Sequence, residues 1–258
     1  MTQPPLIAVT RKVSRSIAHC ELTHLDRQAI DIMQARIQHA AYEKCLEETG
    51  CNVMSLPEEP GLPDSVFVED TAVVLDELAV ILRPGADSRK AETAKVANAL
   101  RPFRKLFHIV DPGTLDGGDV LRIHKTLYVG LSLRSNKEGA KQLRNILKPY
   151  GYDVVEVEVK GCLHLKSAVT QVADDTLLIN KKWVDPAIFA GMKLIEIDPS
   201  EPYAANALWV NGLVIYPASF PKTRKKLEEA GIELKIVDAS ELAKAEGALT
   251  CCSLIFNK

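Results

Sequence analysis

The chain has 258 residues, 47% of them hydrophobic, enough to bury a core as one large domain or two small ones. Its formal net charge of −2 offers no basic surface for nucleic acid, and no apolar run approaches the roughly 18 residues that span a bilayer. The opening MTQPPLIAVTRK lacks the apolar stretch of a signal peptide, and the six cysteines form no CxxC pair, so a reduced cytoplasmic protein without a structural zinc site is expected.

In chain order, residues 6–9 predict a strand, 36–49 a helix stopped by Gly50, and 51–56 another strand. The polar stretch 11–31 between them reads as an inserted, mobile loop. Apolar runs at 65–75 and 78–82 predict two strands around an Asp76-Glu77 turn, ended by Arg83-Pro84-Gly85. Helical spacing over 88–100, stopped at Arg101-Pro102, predicts a helix, and 106–110 a third strand. The pattern then repeats. Strands are expected at 119–123 and 126–131, and a helix opened by a Ser135–Glu138 capping box and closed at Pro149-Tyr150-Gly151. A strand over 152–159 completes that unit. Strands at 167–172 and 177–179 flank Asp174-Asp175, followed by a short helix near 185–190. Strands at 207–210 and 214–216 flank Asn211-Gly212, the strongest short hairpin signal, before a helix over 221–230 and a strand over 233–237. A last strand is expected at 248–256.

These runs are one supersecondary unit repeated about every 45 residues. Five anchors sit at equivalent points: Asp70, Asp116, His164, Asn206 and Cys251. The fifth unit is complete only if the C-terminal strand pairs with the strand at 6–9, as in closed propeller-like folds. The expectation is therefore a single α/β domain over 1–258, a five-module ring of ββαβ units whose anchors converge on a central channel.

Convergence would join a thiol, an imidazole and carboxylates, a set suited to nucleophilic catalysis. Cys251 and Cys252 are neighbours, and strand alternation would let only one face the channel, with the register favouring Cys251. A near-terminal pair of cysteines taken alone is more often core packing, and a lone His in an apolar strand is more often a satisfied core residue. The shared register shifts both readings towards function. Asp116 lies in LDGGDV, which by itself reads as a tight turn. Glu69 and Asp70 are costly to bury in VFVEDTAVV unless they meet a cation. A guanidinium matches carboxylates bidentately, and its trigonal carbon is open to attack by a thiolate.

The segments LPDSVFVEDTAVV, RPGADSR, LDGGDVL, GLSLRSN, LHLKS, YAANALWVN and LTCCS together resemble the dimethylarginine dimethylaminohydrolase family of the guanidino-group-modifying, or pentein, superfamily. The resemblance runs over nearly the whole chain. It implies a five-module propeller that hydrolyses mono- and asymmetric dimethylarginine to citrulline and an alkylamine through a covalent thiouronium, without a cofactor or metal. Adventitious zinc binding at the thiol and imidazole stays compatible with it. The implied nucleophile is Cys251, with His164 as general acid and base and Asp116 as its acidic partner. Asp70 would grip the guanidinium, with Glu69 beside it. Asp64 and Leu22 would hold the α-amino end, Ala245 would offer a backbone contact, and Arg89 and Arg134, at equivalent rims, would bind the α-carboxylate. The implied partner is a small-molecule substrate, with no nucleic acid or membrane, and the oligomeric state stays open, a homodimer included. The competing readings are another pentein hydrolase, deiminase or amidinotransferase, or a non-catalytic propeller that binds a partner. The joint presence of Cys, His and acid at three anchors argues against the last.

Overall fold

The computed structural model describes residues 5–258 and arranges them in five three-stranded sheets. In every sheet a first strand runs antiparallel to a middle one, which runs parallel to the third. The first module has Ala72–Val74, Leu78–Ile81 and Lys105–His108, the second Val120–Ile123, Thr126–Leu131 and Asp153–Glu158. The third has Val169–Ala173, Thr176–Ile179 and Lys193–Glu196, the fourth Leu208–Val210, Leu213–Pro217 and Leu234–Val237. The fifth is built from both ends: Leu6–Arg11 lies between Leu254–Asn257 and Cys51–Leu56, with Val9 opposite Leu254 on one side and Met54 on the other.

Helices link the second and third strands. The longest, Ile32–Glu48, starts earlier than its spacing predicts because the Asp31 carboxylate caps the amides of Met33 and Gln34. The helix Lys137–Leu147 is capped by Asn136 accepting from Gly139, not by Ser135, whose hydroxyl is drawn to Asp119. The helix expected over 88–100 is α-helical only at Thr93–Leu100, after a 3-10 segment at Asp87–Glu92. In the third module the linker is a single 3-10 turn, Pro186–Phe189. No helix among the described residues is long and apolar enough to cross a membrane.

The main correction concerns the anchors. Residues 65–71 are not a strand: Val68–Thr71 is a 3-10 turn. Gly117–Asp119 and Thr250–Cys252 are similar turns, and Leu165–Ala168 is one turn of helix directly after His164. A strand would send Glu69 and Asp70 to opposite faces of an apolar sheet. The turn lets each carboxylate find a cation or an amide instead.

Five buried apolar clusters hold the ring together, and each is shared by two neighbouring modules. One packs Val73, Leu78 and Val80 of the first module against Leu127, Val129 and Leu143 of the second. Another joins Ile7, Val9 and Phe256 of the split module to Val68, Ile81 and Leu100 of the first. The remaining three sit between modules two and three, three and four, and four and five. A closed ring gives its terminal strand the weight of an internal one. Phe256→Ala should therefore cost about 3–5 kcal/mol and Leu127→Ala about 2–5 kcal/mol, both read from denaturant unfolding. A negligible cost at Phe256 would show that the ends are not integral to the core.

Candidate active site

The anchor turns meet at the ring axis around a small pocket lined by Glu21, Asp64, Phe67, Asp70, Arg89, Arg134, Leu163, His164, Ala245 and Cys251, with Glu246 and Gly247 completing the wall. Its free space is about 20 Å³, room for about one water.

Two turns touch at the pocket floor, and the paired glycines of LDGGDV make that contact possible. A Cβ on Gly117 would lie 1.9 Å from the carbonyl oxygen of Glu69, and one on Gly118 would lie 2.5 Å from His164 Nδ1. The amide of Gly118 donates to Asp70 Oδ1 at 2.9 Å. His164 Nε2 lies 3.1 Å from Asp116 Oδ2, while Asp116 Oδ1 accepts the Gly85 amide at 2.8 Å. Asp119 is fully buried and accepts the hydroxyls of Ser132 and Ser135 and the amide of Leu165, the residue after His164. This acid was read only as the last residue of a turn entering the strand at 119–123, yet it fixes the segment that presents the imidazole. Its signal in the sequence was its place beside two glycines, ahead of an apolar strand.

Cys251 and Cys252 occupy a 3-10 turn, so strand alternation is not what separates them. Successive residues of such a turn point about 120° apart. Cys251 lines the pocket, while Cys252 is buried and its thiol donates to the carbonyl of Ala248 at 3.5 Å.

The two arginines are not equivalent. Arg89 is buried and saturated: it pairs with Asp70 at 2.7 Å and with Glu92 at 2.9 Å and donates to the carbonyls of Asp64 and Phe67. Arg134 is also buried, but donates to Thr23 Oγ1 at 2.9 Å and has no carboxylate partner among the described residues. Glu69 points away from the pocket, pairing with Lys166 and accepting the Thr250 hydroxyl at 2.9 Å. Leu22 is partly buried and packs on the apolar cluster around Tyr42 rather than lining the pocket; its neighbour Glu21 lines it. Asp64 and Ala245 both line it. Asn206 bridges modules, bonding the Lys166 carbonyl and Thr250.

The stretch expected as a mobile loop is tied across the pocket mouth. Asp64 accepts the Glu21 amide at 3.1 Å, Arg134 reaches Thr23, and Glu246 accepts the amides of Thr23, His24 and Leu25. Glu246 was not singled out in the sequence, because its partners lie more than 200 residues away.

Charge follows from this packing. Burial disfavours the His164 cation, but Asp70, then Asp116 and Asp119, outweigh it and raise the imidazole to about 9. Burial also works against the Asp70 anion, and His164 and Arg89 still hold it down to about 2. Burial, followed by the Glu69 and Asp70 charges, pushes the Cys251 thiol well above its ordinary range. Burial likewise raises Asp119 to about 6 and Glu92 to about 7. The resting pair at neutral pH is thus a thiol and an imidazolium. Donor atoms of Asp70, Asp116 and His164 lie within 4.8 Å of one another and could hold a metal ion. An imidazolium has no lone pair to offer, so binding there would release a proton.

A profile described as "N,N dimethylarginine dimethylhydrolase, eukaryotic" matches residues 13–187. The chain is 40% identical to the N(G),N(G)-dimethylarginine dimethylaminohydrolase of Streptomyces coelicolor, covering 97% of each chain. It is 38% identical to that of Pseudomonas aeruginosa, covering 88% of this chain and 90% of the other. A solved structure of the Pseudomonas aeruginosa enzyme, a mutant complexed with citrulline, superposes with a TM-score of 0.94 at 35% identity over 99% of this chain and 100% of the other. The N-terminal domain of a cyanobacterial arginine dihydrolase shares the fold, with a TM-score of 0.87 at 20% identity over 97% of each chain.

The His164 cation should persist well past neutrality. An imidazole resonance followed by NMR should titrate near pH 9, and Asp116→Asn should move the midpoint down by removing a hydrogen bond to the charged form. Because the folded value exceeds the unfolded one near 6.5, this group's contribution to stability is full below about pH 6.5 and is lost as pH rises through about 9. A midpoint below 6.5 would contradict the charge arrangement described.

Proposed function

The chain belongs to the dimethylarginine dimethylaminohydrolase family, and on that premise we propose that it hydrolyses Nω-methylated arginine to citrulline and methylamine or dimethylamine. The observation that carries the reading is a thiol and an imidazolium lining one small pocket beside buried carboxylates. That surround suits a cationic, trigonal substrate.

Cys251 is the nucleophile. Its thiol is held protonated by burial and by Glu69 and Asp70, so the positive charge of the bound guanidinium is what favours its ionisation. The thiolate forms a C–S bond to the guanidinium carbon. His164 passes its proton to the methylated nitrogen, the C–N bond breaks, and the amine departs. The thiouronium left on Cys251 keeps the positive charge. Neutral His164 then takes a proton from the water that attacks the same carbon. The C–S bond breaks, citrulline forms, and the thiolate and imidazolium return. The second proton of the water is released as citrulline forms and restores the Cys251 thiol, and the proton that this thiol gave to solvent when it first ionised is the one that makes the departed amine an alkylammonium ion. Asp116 and Asp119 hold the imidazole and its segment in place.

At the far end of the substrate, Arg134 receives the α-carboxylate, having no anion of its own. Arg89 acts through Asp70, whose orientation it fixes, with the rest of its donors committed to Glu92 and two carbonyls. Asp64 accepts from the α-amino group, alongside the Ala245 backbone. No cofactor takes part in this scheme. Selection among guanidines comes from the space around the leaving nitrogen, since charge alone does not separate arginine from its methylated forms. Monomethyl- and asymmetric dimethylarginine are the expected substrates, with little turnover of arginine or symmetric dimethylarginine. A methyl-sized difference supports about 10–200-fold discrimination.

Comparing kcat/KM for those four compounds tests the reading; preference for plain arginine would make the protein a deiminase. Cys251→Ser should abolish turnover and the covalent adduct, whereas Cys252→Ser should keep most activity. An adduct found by mass spectrometry on Cys252 would overturn the assignment. Arg134→Ala should lose at least about tenfold more activity on methylarginine than on methylguanidine, because a hydrogen bond to a charged group is worth about 1.5–3 kcal/mol. Equal losses on both would make Arg134 structural.

A further inference from the structure

The pocket is too small for its proposed substrate as it stands: about 20 Å³ of free space admits a water, not an arginine derivative. Part of its wall is Glu21, on the segment 20–27, so that segment has to swing out for entry and back for catalysis. Three pocket-lining side chains tie it down. Asp64 accepts the Glu21 amide and Arg134 donates to the Thr23 hydroxyl. Glu246 accepts from three consecutive amides, those of Thr23 at 3.0 Å, His24, and Leu25 at 2.6 Å. The first two ties use the groups that the proposed function assigns to the α-amino and α-carboxylate ends of the substrate. A bound substrate competes for them. Glu246 has no such competitor.

We propose that Glu246 is a positioning residue that pins the segment 20–27 over the occupied site, while Asp64 and Arg134 exchange their bonds to the segment for bonds to substrate. The idea rests on the proposed function for the exchange, and on geometry alone for the pin. Ser88 also reaches the Glu21 carboxylate within the segment, and the residues after it are held by Lys244 on the Ala29 carbonyl and Glu241 on the Asp31 amide. The amides of 23–25 are gathered by Glu246.

The backbone supports a dedicated role. Glu246 adopts φ of 56°, a left-handed conformation that glycine adopts without strain and glutamate does not. The next residue, Gly247, is packed so tightly that a Cβ would sit 2.1 Å from the Phe67 ring, itself part of the pocket wall. The carboxylate is thus mounted on a rigid wall at a conformational cost, and it reaches across the mouth to the segment that closes it.

Two variants separate the pin from the fold. Glu246→Gly suits the left-handed backbone but removes the carboxylate; Glu246→Gln keeps the length and one acceptor. Both should unfold at or above the wild-type temperature in the glycine case and near it in the glutamine case. Iodoacetamide should then alkylate Cys251, read on its peptide by mass spectrometry, about tenfold faster in Glu246→Gly, with Glu246→Gln intermediate. KM for monomethylarginine should rise by a similar factor, with kcat less affected. Wild-type alkylation rates and an unchanged KM in a folded Glu246→Gly protein would overturn the proposal. If the wild type does not turn over methylarginine, the proposed function fails, while the alkylation comparison still decides whether Glu246 holds the segment. Should the glycine variant not fold, the glutamine variant carries the same two measurements.

Discussion

The Asp70 carboxylate organises the axis. One oxygen holds Arg89 and the other the Gly118 amide, and its charge is the largest influence keeping His164 protonated against the cost of burial. Around it, Asp64, Glu69, Glu92, Asp116 and Asp119 are also buried, against Arg89, Arg134, His164 and the partly buried Lys166. Acids outnumber bases in a region where unpaired charge is expensive. Hydroxyls and amides absorb part of the excess, as at Asp119, and the remainder makes the pocket receptive to a cation. The glycines at 117 and 118 follow from the same constraint, because the turn bearing Asp70 and the one bearing Asp116 could not otherwise approach.

The usual picture of a reactive cysteine beside histidine is a thiolate paired with an imidazolium. Here burial, Glu69 and Asp70 oppose the thiolate, while Asp70 again, with Asp116 and Asp119, favours the imidazolium. The site therefore holds a protonated imidazole beside a thiol kept from ionising. In the proposed mechanism the substrate's charge supplies what the resting protein withholds, and a thiol held protonated is slow to react with neutral electrophiles.

Much of this was legible in the sequence. Periodicity located fourteen of the fifteen strands within a few residues, apart from the overlong first strands, and placed the split module at the two ends; it missed Lys193–Glu196, the short third strand of the third module. The same register drew attention to Cys251, His164, Asp116 and Asp70. What escaped was local and long-range at once. An apolar run reads as a strand whether or not its polar members curl into a turn, so 65–71 and 250–252 were misread. Arg89 looked like the equal of Arg134 because spacing says nothing about which arginine already has a buried carboxylate within reach. The clasp of Glu246 on 23–25 has no period to betray it.

The split module also bears on the order in which the molecule comes into being. Val9 pairs with Leu254, 245 residues away in sequence, so this sheet can form only after the chain has been synthesised through Leu254. Cys251 stands three residues before that closing strand. The Cys251 thiol and the ring closure thus arrive together: a chain that lacks this closing strand carries the imidazole and the carboxylates, but no thiol positioned among them. On the proposed assignment, turnover is therefore tied to the completed ring, gained in one step with the last strand and lost in the same step if that strand detaches.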